Sequence, residues 1–199
     1  MRLVPGAEFR MGTDSVEFDG IVQRTGLQDA GPLGPEFPAH FVRVDLFFMD
    51  TVDVTNAAFA EFVRARPEWG ASGVDPATHN GRYLEHWSEG TPPEELREHP
   101  VTFVTWASAR AYCEWRGKRL PTEAEYEWAA QSPEGGEYPW GDAAPHDSLV
   151  SWGGNGLDRT MPVAWELGSQ RRESSRAVSG QSSAVRCAGD GGFPVRHVG

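Results

Sequence analysis

The chain has 199 residues, 39% of them hydrophobic, and sets 18 Lys and Arg against 29 Asp and Glu for a formal charge of −11. That length suits one domain, and the acidic balance disfavours nucleic acid and anionic membranes, which would repel it. No apolar run reaches membrane-spanning length, and Met1 to Gly6 has none of the apolar stretch of a secretory leader, so the cytoplasm is the expected compartment.

The 23 Gly, 15 Pro and eight Trp point to many turns around a core of large flat side chains. Residues 5–12 set Phe9 and Met11 against polar neighbours, the alternation of a short half-buried strand. A Gly- and Pro-rich loop follows over 20–38. Residues 41–50 are apolar and β-rich enough for one central strand. Thr55 is placed to cap a helix running to Val63, with Phe59, Phe62 and Val63 on one face and Pro67 as its stop. Residues 70–98 are polar and read as a long loop, and 101–104 as a short strand.

Thr105 then caps a helix over 107–116 that buries Ala109, Tyr112, Cys113 and Trp115, with Gly117 turning the chain. The sharpest local signal is Thr122 followed three residues later by Glu125, a capping box with acidic groups at the positive end of the helix dipole. Tyr126, Trp128 and Ala129 continue that helix, and residues 138–142 form an aromatic turn.

Composition changes after Gly168. The stretch 169–199 carries five arginines against Glu173 and Asp190, many Ser and Gly, and one aromatic, Phe193. It lacks apolar periodicity and is expected to be disordered or poorly packed. Cys113 and Cys187 are the only cysteines. They could form at most one bridge, and two free thiols are the expectation, Cys113 inert in the core and Cys187 in the tail.

From His99-Pro100-Val101 through Trp106, Tyr112-Cys113-Glu114-Trp115 and Gly117-Lys118-Arg119-Leu120-Pro121-Thr122-Glu123-Ala124-Glu125, the chain resembles the formylglycine-generating enzyme (sulfatase-modifying factor) family. Trp128-Ala129-Ala130, Tyr138-Pro139-Trp140-Gly141-Asp142, Val54-Thr55-Asn56 and Thr160-Met161-Pro162-Val163 fall in the same order, so the likeness spans residues 4–163. It implies an α+β fold, a variant of the C-type lectin-like type with little regular structure and its C-terminal part missing. The domain would cover 1–168, with 169–199 a divergent tail. Trp106, Tyr112, Trp115, Trp128 and Trp140 are expected to build the core, and Arg119 with Glu123 and Glu125 a buried ion-pair and capping network.

The resemblance also implies a chemistry. Family members oxidise a sulfatase cysteine to formylglycine with O₂ and copper, and soft copper(I) calls for two thiolates close in space. In the family both lie in a C-terminal segment after Gly-Leu-Tyr-Asp-Met and Gly-Asn-Val-Trp-Glu-Trp stretches, and neither stretch occurs here. No catalytic residue is therefore assigned, and the copper site is expected to be absent. Structural calcium in the family places candidate ligands at Asn155 and the carbonyl of Leu157, with Asp158 nearby; a plain Asn-Gly turn is the competing reading. None of the histidines has the spacing of a zinc helix, and His79 and His86 read as solvated.

Three functions compete: a family member active in its ancestry and inactive here, with a sulfatase-type polypeptide as partner; a non-catalytic lectin-like binding module using 70–98 as its surface; and an unstable fragment of a frameshifted gene. The last draws on the abrupt tail, since a one-nucleotide shift from Trp165 onward can restore the family's Gly-Leu-Tyr.

Overall fold

Two short strands open the chain, β1 over Arg2–Val4 and β2 over Ala7–Met11, joined at Pro5 and Gly6. The structure, a computed structural model, describes residues 1–16, 19–20, 37–79, 81–131, 151–152, 159–160 and 185–190. Phe9 is buried in β2 as its alternation requires. The single strand expected over 41–50 is instead two, β3 over His40–Val44 and β4 over Phe47–Met49. Residues three apart in one strand face opposite sides, yet Val44 and Phe47 are both buried, and the break at Asp45 and Leu46 allows it.

The two strands serve different sheets. β3 pairs antiparallel with β2, Ala7 opposite Val44 and Met11 opposite His40. β4 pairs with β1, Arg2 opposite Met49, and on its other side with β7, Ala188–Gly189, so it is the centre of a three-stranded sheet. A further antiparallel pair joins β5, Ser151–Trp152, to β6, Arg159–Thr160.

Helix α1 spans Asn56–Ala65, with the Thr55 hydroxyl accepting from the Ala58 N–H at 3.2 Å. Phe59 and Phe62 point into the core from the face their spacing defines. Helix α2 spans Trp106–Trp115 behind Thr105, whose cap is a full box completed by Ser108. Gly117 follows at φ 69°, the left-handed turn that glycine makes at no steric cost. Helix α3 spans Glu123–Ala130, and the Thr122–Glu125 box is present as the spacing requires.

No strand forms over 101–104. Phe103 has φ 57°, outside the extended region, and its carbonyl accepts from the Leu84 N–H at 2.8 Å. Residues 70–98 are also less polar in their role than in their composition. Among the described residues they form short 3₁₀ turns at Pro76–Thr78 and Glu94–Leu96 and a bridge between Ser88 and Thr91, yet Tyr83, Leu84 and Trp87 are core residues.

Two apolar clusters result. One gathers Phe59, Phe62, Tyr112 and Trp87 around α1 and α2, with Phe59 stacked on Tyr112 at 5.6 Å between ring centroids. The other packs Phe9, Val44, Phe47 and Met49 against Ala129 of α3. Tyr112 is buried as expected and Trp115 and Trp128 pack against these clusters. Trp106 does not: it is 68% exposed at the first turn of α2, with the Arg110 guanidinium 5.6 Å from its ring. Trp140 lies outside the described residues. Among the described residues, no helix is long and apolar enough to cross a membrane. The architecture is α+β, small antiparallel sheets beside short helices.

Candidate functional site

The sulfur pair decides the chemistry open to this chain. Cys113 sits on α2 because its helical position faces the aromatic cluster, and Cys187 directly precedes β7. The two form a disulfide, with Cα atoms 5.6 Å apart across a sequence separation of 74. This corrects the expectation of two free thiols. Sequence spacing gave no hint of the pairing, because the contact depends on β7 docking beside β4. Both cysteines are 0% exposed.

Of the 169–199 stretch, Val185–Asp190 is described, and it is packed. The Val54 N–H donates to the Val185 carbonyl at 2.8 Å, and Asp50 to Cys187 at 3.0 Å. Arg119 and Ala188 exchange both backbone hydrogen bonds, at 2.9 and 2.7 Å. Ion pairs flank the bridge. Arg186 reaches Asp53 at 2.7 Å with both side chains nearly buried, and Lys118 donates to both carboxylate oxygens of Asp50 at 2.6 and 2.8 Å. Of these charged residues only Arg119 was singled out from sequence, and for a different pairing, with Glu125. No local signal was available, because Lys118 and Arg186 stand 68 and 133 positions from Asp50 and Asp53.

Arg119 and Glu125 form the ion pair their motif implies. Two guanidinium nitrogens donate to the two carboxylate oxygens, one at 2.6 Å, while Glu125 also accepts from the Thr122 N–H at 2.7 Å. Burial alone would raise the Glu125 pKa, but the Arg119 fork and the Thr122 backbone outweigh it and hold the carboxyl below its ordinary value. Arg119 is raised in turn, chiefly by that hydrogen bond and further by Asp190 at 2.8 Å. Glu123 is exposed and adds acid to the first turn only. Arg119, Thr122 and Glu125 line a cleft of about 380 Å³ with Arg43, Asp45, Leu46 and Asp190.

A second polar centre was not anticipated. Asn56, buried at the start of α1, donates through Nδ2 to the carbonyls of Leu96, His99 and Pro100 at 3.0, 3.1 and 3.2 Å. Its Oδ1 accepts from the indole N–H of Trp87 at 2.9 Å. An indole can only donate, so the orientation of the amide is fixed. His86 Nε2 lies 3.1 Å from the same Oδ1 and must therefore carry the proton. Its Nδ1 is then a bare acceptor, buried and without a partner among the described residues.

His86 is not solvated as expected: burial lowers its pKa, with Glu85 opposing that shift. His79 departs from expectation similarly. Its Nδ1 accepts from the Gly81 N–H at 3.0 Å, and its Nε2 is buried without a partner among the described residues.

Asn155, Leu157 and Asp158, the implied calcium residues, lie outside the described residues. Among the described residues, no three His, Cys, Asp or Glu side chains gather as a metal site would need.

A domain with this motif order, an α+β frame and a helix stapled beside the central strand defines a class, which sequence comparison identifies. The profile of the "Sulfatase-modifying factor enzyme 1-like domain" matches residues 1–181. The chain is 37% identical over 156 residues to a Bos taurus protein named "Inactive C-alpha-formylglycine-generating enzyme 2", covering 64% of this chain and 47% of that one. It is 35% identical over 159 residues to the "Formylglycine-generating enzyme" of Streptomyces coelicolor, covering 64% and 46%. It is 35% identical over 138 residues to the "Hercynine oxygenase" of Mycolicibacterium smegmatis, covering 63% and 30%. The chain belongs to the sulfatase-modifying factor enzyme 1-like family. Its matched part spans about half the length of the first two relatives.

Proposed function

We propose that this chain is a formylglycine-generating-enzyme-type protein, built on the C-type lectin-like variant of the α+β fold, that does not itself oxidise cysteine. The Cys113–Cys187 bridge carries the reading. Copper(I) held by thiolates needs two deprotonated, reachable sulfurs. Both cysteines of this chain are spent in one covalent bond and fully buried, so the residues present do not fit that metal. Family membership by itself leaves activity open, because similar identities join the chain to a protein named inactive and to one named as the enzyme.

The partner this reading assigns is a sulfatase-type polypeptide carrying Cys-x-Pro-x-Arg, bound and left unoxidised. Two measurements test it. Titration with copper(I) in the absence of reductant should give no thiolate-to-copper absorption in the ultraviolet. Fluorescence anisotropy of a labelled Cys-x-Pro-x-Arg peptide should show saturable binding. A thiolate–copper band removes the non-oxidising reading, and absence of binding removes the assigned partner. The calcium ligands implied at Asn155 and Leu157 belong to the same proposal, checked by whether calcium raises the melting temperature.

A further inference from the structure

The segment Val185–Asp190 is a strap laid across the seam between the two apolar clusters: Val185 and Cys187 join one, and Ala188 joins the other. Its docking completes the central sheet on the free side of β4 and brings Asp190 to Arg119 in the cleft. One covalent bond, to α2, holds it there. We propose that the Cys113–Cys187 disulfide is a redox-operated clasp, whose reduction by a dithiol releases this strap while the sheets and helices before it stay folded.

The rest of the aromatic cluster does not depend on the strap. Phe59, Phe62, Tyr112 and Trp87 make their ring contacts with one another and with Trp69 and Trp115, all of which precede the strap. The strap is held besides by short backbone bonds and the Arg186–Asp53 and Arg119–Asp190 pairs. The last of these is exposed at Asp190 and contributes little in water. Cutting the cross-link leaves docking of the strap as a contact between residues far apart in sequence, an entropic cost that its non-covalent contacts must then meet.

The step balances as thiol–disulfide exchange. One thiolate of the dithiol attacks a cysteine sulfur, the S–S bond breaks, and the displaced thiolate takes a proton. The second thiol of the dithiol resolves the mixed disulfide. Two electrons and two protons pass to the cysteines, and the dithiol becomes a cyclic disulfide. Because both sulfurs are wholly buried, attack waits on the strap lifting, so the reduction rate should level off as dithiol concentration rises. Opening also parts the sulfurs, Cys113 staying on α2 and Cys187 leaving with the strap. In a compartment poised by dithiols such a bond is a switch; in an oxidising one it is permanently shut.

Hydrogen–deuterium exchange on the full chain, before and after dithiothreitol, tests the clasp. The amides of Asp50, Val54, Arg119 and Ala188, which bond to or within the strap, should speed up about tenfold or more on reduction. Those of Phe59 and Ala109, in α1 and α2, should not. The C113A/C187A double variant should show the reduced pattern with no reductant. Unchanged protection at the strap after complete reduction overturns the proposal. So does loss of protection at Phe59 and Ala109 together with the strap, or an intact mass showing two free thiols before any reductant is added.

Discussion

Trp87 donates its indole N–H to Oδ1 of Asn56 at 2.9 Å, joining the 70–98 stretch to the first residue of α1. The other end of the same amide faces three carbonyl oxygens. A carboxylate in that place would meet three acceptors with no proton to offer. Asn56→Asp should therefore lower stability by about 3 kcal/mol or more, the cost of an unpaired buried charge or of a forced proton. Asn56→Leu should cost roughly 2–3 kcal/mol by orphaning the carbonyls and the indole. Urea denaturation of both variants checks the order.

His86 gives the fold a pH dependence. Its folded pKa lies below the ordinary value of 6.5, chiefly through burial. The folded state thus favours the neutral ring, and this stability is fully present above 6.5 and lost as pH falls through the folded value. Urea midpoints should decline from neutral pH toward pH 5. His86→Gln keeps an N–H donor for Asn56 and cannot titrate, so its midpoint should decline less over that interval.

Glu125 acts in a lower window. Its folded pKa is below the ordinary 4.5, so its contribution is present above that value and lost as acid protonates it. Glu125→Ala removes the partner of Arg119 and half of the capping box, and should cost about 2 kcal/mol at neutral pH. Thermal melts at neutral and acid pH should show the difference between variant and parent shrinking in acid.

Gly6 has a steric duty. A Cβ there would lie 2.8 Å from the Val44 carbonyl oxygen and 2.9 Å from the Leu46 nitrogen, both backbone atoms that cannot swing aside. Gly6→Ala should push the β3–β4 corner outward and cost roughly 1–3 kcal/mol by urea denaturation.

That glycine illustrates how far sequence carried. Pro5 and Gly6 fall at the start of a stretch that reads as one short strand, and the need for glycine comes from a corner some forty residues on. Helix caps at Thr55, Thr105 and Thr122 were legible because a cap is local, a hydroxyl and an N–H within one turn. The Arg119–Glu125 pair was legible from the motif that holds both residues. The strand over 41–50 was misread because its break follows from which sheet each half joins. Residues 70–98 looked solvated because polar residues outnumber Tyr83, Leu84 and Trp87, the ones that pack. The Cys113–Cys187 bond was out of reach, since its partners meet only through β7 docking on β4.

The central claim, that this chain has no sulfur pair free to hold copper at its surface, is tested most directly by turnover. The full chain is incubated with copper, O₂ and a Cys-x-Pro-x-Arg peptide, with and without a dithiol, and the peptide is weighed by mass spectrometry after aldehyde capture. The account expects no aldehyde under either condition, since the cysteines are bridged in one and parted in the other. A captured aldehyde that disappears in the C113A/C187A variant would contradict it.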